Sequence, residues 1–238
     1  MKIPDYIWIV IPVYNHSATI KNVVDKTEKY TSNIVVVDDG SDDADIKQIL
    51  KESDIHIITH EKNRGKGAAL RTAADFIQQK DNSAYIITLD ADGQHNPEDI
   101  DKFIPYITEN RDIIILGNRD FSSGNVPEKS KFGRKFSNFW IQLETGCKVY
   151  DSQSGFRGYP LKLLTDTKCI SEHYAFETEI LVRGVWSGLK VVNVNISVYY
   201  PEKKKRISHF RPLIDNLRIS LLHSRLTAER FFRIILRK

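Results

Sequence analysis

The sharpest chemical signal in the chain is Leu89-Asp90-Ala91-Asp92-Gly93-Gln94, two carboxylates two residues apart directly after an apolar run. Charges of one sign at a partly enclosed site repel unless a cation compensates them. Mg²⁺ or Mn²⁺ would do so, since both take oxygen ligands and are commonly held by one or two carboxylates together with substrate phosphates. The alternative is a solvated turn that caps the next helix. A second acidic pair, Asp38-Asp39-Gly40-Ser41, suits either hydrogen bonds to ribose hydroxyls or a base edge, or a turn with an N-cap. In Asn63-Arg64-Gly65-Lys66-Gly67 a lysine sits between glycines at a helix start, which suits an anion. The Lys is followed by Gly instead of Ser or Thr, so this is not a Walker A loop.

Other chemistries are excluded on the same grounds. His56 and His60 stand four apart without a Glu beside the first, which removes the zinc-protease reading and leaves them as ordinary histidines. There is no Gly-x-Ser-x-Gly elbow. Cys147 and Cys169 lack metal spacing and read as two reduced thiols.

The elements that position these residues follow from periodicity. Short β-branched runs alternate with amphipathic stretches from residue 7 to about 117, the pattern of βα units on a mainly parallel sheet. Strands are expected at Ile7 to Ile11, Ile34 to Asp38, Ile55 to Thr59, Tyr85 to Leu89, Ile113 to Leu116 and Val191 to Tyr199. Ser17, Ser41 and Asn96 are the expected N-caps, with Pro97 at the tolerated first helical position. Helices are also expected near Phe132 to Glu144, Ala175 to Trp186 and Pro212 to Leu236, with a turn from Asp151 to Pro160. The acidic pairs, the Lys66 loop and Asn118 to Asp120 all fall at strand ends, where an open α/β sheet binds ligands.

The 238 residues carry a net charge of +4, unevenly distributed. From Pro201 onward eleven Lys and Arg face three acids, a net +8, so the first 200 residues carry −4. A basic tail on an acidic body points to an anionic partner. Few aromatics interleave the cations, which argues against nucleic acid. No apolar run reaches the length of a membrane span and no secretory leader is apparent, so the expected location is cytoplasmic. The last helix mixes Leu213, Leu217, Leu221, Phe231 and Phe232 with arginines, and is expected either to lie flat on a membrane or to pack on the core.

Six segments together resemble the family-2 glycosyltransferases of GT-A fold, and among them the polyprenol-phosphate sugar synthases. They are Ile11 to Asn15, Val37 to Ser41, Asn63 to Leu70, Asp90 to His95, Gly117 to Arg119 and Asp151 to Arg157, in the family's order. The resemblance implies a Rossmann-like, mostly parallel sheet flanked by helices over residues 1–200, followed by a basic acceptor loop and an amphipathic C-terminal helix over 201–238. It also implies an inverting transfer from a nucleoside-diphosphate sugar to a lipid-linked or amphiphilic acceptor, at the cytoplasmic face of an anionic membrane. The implied donor contacts are Pro12, Tyr14, Asn15, Asp38, Asp39, Lys66, Asp90 and Ala91. Asp90, Asp92 and Gln94 would meet Mg²⁺ or Mn²⁺.

The implied catalytic set is Asp92, Arg119, Arg157 and Glu177. The arginines suit phosphate because a guanidinium matches its oxygens bidentately. Glu177 falls where related enzymes place an acid, and would act as base if the acceptor were a hydroxyl; a lipid phosphate needs none. Arg134, Arg206, Ser208 and His209 are the implied contacts to acceptor or phosphate. His16 replaces the family's usual Glu, which leaves the base of the nucleotide open. The rival reading is a module that binds a nucleotide sugar or anionic lipid without turning it over.

Overall fold

A computed structural model describes residues 2–120, 128–199 and 212–236. Seven strands form one sheet in the order β3-β2-β1-β4-β6-β5-β7: β1 (Ile7–Val13), β2 (Ile34–Asp38), β3 (His56–Thr59), β4 (Tyr85–Thr88), β5 (Ile113–Arg119), β6 (Arg157–Pro160) and β7 (Lys190–Ile196). All pairs are parallel except those of β6, which runs antiparallel between β4 and β5. The near-continuous apolar runs of β1 and β2 are buried on both faces, as parallel strands require. Helices α1 (Ser17–Thr27), α2 (Ile46–Ile49) and α4 (Ile104–Glu109), with a 3₁₀ segment at Pro97–Lys102, close one side. Helices α3 (Lys66–Lys80), α5 (Glu128–Thr145), α6 (Leu161–Asp166) and α7 (Ala175–Trp186) close the other, and α8 (Pro212–Leu236) lies across α5 and α7.

Three local expectations are corrected. Ser17 is the first residue of α1 and His16 holds the cap position, with no side-chain hydrogen bond that caps the helix. Asp45 caps a helix of one turn, accepting from Gln48 N, while Ser41 Oγ instead accepts the N–H of Asn15. The competing acid three residues before Gln48 and the tie to β1 explain why Ser41 serves the loop. The expected turn from Asp151 to Pro160 ends in β6, because Arg157 and Tyr159 alternate with Gly158 in a buried antiparallel ladder. Asn96 does cap the segment that Pro97 opens, and both cysteines are free.

Inserting β6 between β4 and β5 has a direct consequence for the sheet edge. It brings the 151–157 segment under the end of β4, so that residues more than sixty apart in sequence meet: Thr88 Oγ1 donates to Gly155 O at 2.7 Å.

Candidate active site

Asp90 emerges from β4 with its carboxylate lying over Gly155, where a Cβ would come within 2.1 Å of Asp90 Oδ2. Only glycine leaves that room. Asp90 Oδ1 accepts from Lys66 Nζ at 2.6 Å, and the same ammonium lies 3.0 Å from Glu177 Oε2. Lys66 opens α3, Asp90 follows β4 by two residues and Glu177 lies in the first turn of α7, so three separate parts of the chain converge on one ion cluster. Burial disfavours the Lys66 charge, but Asp90 and Glu177 outweigh it and hold its pKa above the ordinary lysine value. Burial likewise pushes Asp90 up, and Lys66, His95 and Arg119 together hold it well below the usual carboxylate range.

Asp92 is less fully compensated. Burial and the charge of Asp90 push its carboxyl up to about 6, against the N–H of Gln94 to Oδ1 at 2.9 Å and the more modest pull of Lys66 and Arg119. Among the described residues no group of three His, Cys, Asp or Glu side chains forms a metal cluster. A hard cation shared with phosphate needs fewer protein ligands than that, and an all-oxygen donor set with one under-compensated carboxylate fits such an ion.

The remaining expected residues fall into three groups. At the β1 and β2 ends, Pro12 and Tyr14 are half-buried, Asn15 has φ of 54° and accepts from Asp42 N, and Asp38 accepts from Ser41 N. Ala91 is buried, its carbonyl accepting from Thr19 Oγ1 at 2.6 Å. Asp39 is committed inward: its oxygens accept from His60 Nδ1 at 2.7 Å, Arg64 N at 2.9 Å and Gly65 N at 2.7 Å. It therefore shapes the Lys66 loop, and His60, read as ordinary, braces it while also contacting Thr72 Oγ1.

Arg119 grips Asp151 in a bidentate pair at 2.6 and 3.0 Å, at the end of β5. Arg157 is 1% exposed and lies beneath the site. Its guanidinium donates to the carbonyls of Ser152, Ser154 and Glu177 and to Tyr159 Oη, with Nε 3.6 Å from Glu177 Oε1. With these donors turned into the protein, it underpins the acids from below. On α5, Asn138 holds Tyr150 O and Ser152 N, and Arg134 one turn earlier shares that helix face. Arg206, Ser208 and His209 lie outside the described residues.

Sequence reasoning did not find the pairing of Arg119 with Asp151 or of Lys66 with Glu177, since neither has a local spacing. His95 closes the Asp90 to His95 segment. It is buried, its Nδ1 has no hydrogen-bond partner among the described residues and stands 3.9 Å from Asp90 Oδ2, and its ring meets Phe156. Burial lowers its pKa to about 4, with Arg119 and Lys66 adding to the effect against Asp90, so it is neutral at pH 7. Burial pushes the Cys169 thiol up to about 11, which disfavours its thiolate.

Residues 8–167 match the family model of glycosyl transferase family 2. The chain is 32% identical over 222 residues to a UDP-N-acetylglucosamine--dolichyl-phosphate N-acetylglucosaminyltransferase of Methanococcus voltae, covering 82% of this chain and 86% of that protein. It is 27% identical over 202 residues to a polyprenol monophosphomannose synthase of Mycolicibacterium smegmatis, covering 79% and 76%. A mannosyl-3-phosphoglycerate synthase from Rubrobacter xylanophilus superposes with a TM-score of 0.65 at 16% identity, covering 95% and 74%, a likeness of fold alone. The sheet and its flanking helices are thus the GT-A-like architecture that the motifs implied, and the chain belongs to glycosyl transferase family 2.

Proposed function

We propose that the chain is an enzyme that moves a sugar from a nucleoside diphosphate to a lipid-linked phosphate, with inversion, at a membrane surface. The observation that carries this reading is the acidic pair Asp90/Asp92 at the end of β4, with Lys66 and Arg119 as cations beside it. Asp90, Asp92 and Gln94 would hold Mg²⁺ or Mn²⁺, which when bound supplies Lewis-acid stabilisation of the leaving diphosphate. Tyr14, Asn15 and Asp38 line the side where the nucleoside would rest, and Arg119, with Arg134 behind the 151–155 turn, adds positive charge toward phosphate. Asp39 and Arg157 act through others, by fixing the Lys66 loop and Glu177.

The acceptor class follows from Glu177. Its carboxylate is buried against Lys66 and above Arg157, a setting that holds it in place. A phosphate acceptor is already ionised and needs no proton removed, and the two named relatives both act on polyprenol-type lipids. The second reading is a hydroxyl acceptor with Glu177 as general base. It is favoured by one observation, that Glu177 Oε1 is buried with no hydrogen-bond partner among the described residues.

The test uses UDP- and GDP-sugars with Mn²⁺ and a short, water-soluble polyprenyl phosphate. Asp92→Asn should lower transfer about a thousandfold, the loss of several kcal/mol of charge stabilisation, with the melting temperature kept. Transfer at the parent rate would refute the assignment. Glu177→Gln should cost roughly tenfold as a positioning defect; a loss of about 10³-fold or more would move the acceptor to a hydroxyl.

A further inference from the structure

Helix α8 has two apolar faces, and the fold uses one. Leu222 and Leu226 are buried in the core shared with α5 and α7, beside a buried pair between His223 Nδ1 and Glu144 Oε1 at 2.8 Å. Away from them lie Ile214, Leu217, Leu221, Phe231, Phe232 and Ile235, each between 46 and 63% exposed. At 100° per residue these six fall within an arc of about 100°, as two apolar clusters on one side of the helix with the small residues Ser224 and Ala228 between them. Apolar patches of that extent on a soluble domain mark interaction sites.

Charge decides the occupant. Arg218 and Arg225 flank this side on one shoulder, and Lys203 to Arg206 are four cations in succession shortly before the helix. A second copy of the chain would bring one +8 segment against another, whereas an anionic bilayer complements both the charge and the apolar clusters. A groove of about 410 Å³ between α8 and the 170–175 loop adds to this. It joins apolar Ile170 and Leu221 to cationic Arg218 and Arg225, the chemistry of a lipid's junction between chain and headgroup. The far side of that loop abuts the site: Glu172 O accepts from Ala68 N, and His173 packs so close to Gly65 that a Cβ there would lie 2.2 Å from its Nδ1.

We propose that the outer face of α8 docks the protein on an anionic lipid bilayer and opens this groove at headgroup level, one loop away from Lys66. The proposal rests on the lipid-acceptor reading for its purpose, and the test separates the two. The full chain is sedimented with vesicles of phosphatidylcholine alone and with 30 mol% phosphatidylglycerol. The parent should bind the anionic vesicles at least tenfold more strongly than the neutral ones. Leu217→Glu/Phe232→Glu should lose at least tenfold in binding, with an unchanged melting temperature and transfer to a short, water-soluble polyprenyl phosphate within twofold of the parent. Equal binding by parent and variant would overturn the docking face. So would a parent that is dimeric by light scattering, ignores vesicles and becomes monomeric with the two substitutions. Vesicle binding as expected, with no transfer to the short acceptor by either protein, would support docking and refute the lipid-acceptor reading.

Discussion

The sheet edge around β1, β2 and β4 and the flank formed by α7 and α8 achieve order by opposite means. At the edge, several acids are held by backbone amides: Asp38 and Asp92 by residues two or three positions on, Asp39 by the amides of the Lys66 loop. On the flank, single acids gather arginines from their own helix and from α8. Glu179 accepts from Arg183 at 2.9 Å, from Arg225 at 2.5 Å and from the N–H groups of Ile170 and Ser171. Arg183 passes the connection on to Glu229 of α8. The edge is therefore written in motifs and the flank in tertiary contacts, and changes to the two should be read out differently, as lost turnover at the edge and lost stability on the flank.

The widest separation should come from Gly155→Ala. The new methyl would displace the Asp90 carboxylate, which lies within 2.5 Å of that position at all three of its terminal heavy atoms. Misplacing a reacting group by about 1 Å can cost roughly a hundredfold. We expect kcat/KM for sugar transfer to fall by about that factor while the melting temperature drops by only a few degrees. A variant that loses stability and turnover in parallel would show that the edge is as structural as the flank.

Glu179→Gln should do the reverse. The Glu179 side chain is fully buried, and removing its charge takes an ion-pair partner from Arg225 and leaves Arg183 to Glu229; both arginines reach solvent in part. Breaking buried ion pairs costs about 3–5 kcal/mol; the partial exposure of the arginines puts this one at about 2–3 kcal/mol, with transfer on the short acceptor nearly unchanged. The pH dependence distinguishes charge from packing. Burial would raise the Glu179 carboxyl, but the hydrogen bonds of Ser171, Arg183 and Ile170 hold it below its ordinary value. A carboxylate lowered in this way contributes stability above its unfolded pKa of about 4.3 and loses that contribution as pH falls through the folded value. The gap in melting temperature between parent and variant should be widest near pH 7 and shrink below about pH 4. A gap that stays constant with pH would assign the loss to shape alone.

The same contrast explains what the sequence could show. The edge was legible because β-branched runs end in polar turns, a pattern written within a few residues, and the family motifs cover residues 8–167. Even there, direction was hidden. Asp39 and Arg157 stand in the motifs, yet both face inward, and only β6 inserted between β4 and β5 reveals why Arg157 does so. Lys66 was placed near an anion and its partners proved to be Asp90 and Glu177, the second 111 positions further on. The flank was not legible at all beyond its helical periods. Pairing of Glu179 with Arg225 depends on how α8 crosses α7, which no local spacing encodes. The two apolar faces of α8 look alike in sequence, and only packing shows which of them is spent on the core.

Ser41 gives the smallest and most local test of the difference. Its hydroxyl accepts the N–H of Asn15 at 3.0 Å, and its own N–H binds Asp38 Oδ1 at 2.9 Å. Asn15 in turn holds φ of 54°, a left-handed conformation that a non-glycine residue keeps only when its surroundings fix it. Asn15 Oδ1 returns the connection by accepting from Asp42 N. Ser41→Ala removes one acceptor from this ring, worth about 1 kcal/mol, and leaves the Asp38 bond intact because that bond uses the backbone. The melting temperature should fall by roughly 2–4 °C. If the β1 and β2 turns together hold the nucleoside, KM for the donor should rise several-fold while kcat stays near the parent value. A fall in kcat with unchanged KM would mean that this corner of the edge orients the reacting groups, the role proposed for Asp90 and Lys66, and would remove the division between a binding corner and a chemical one.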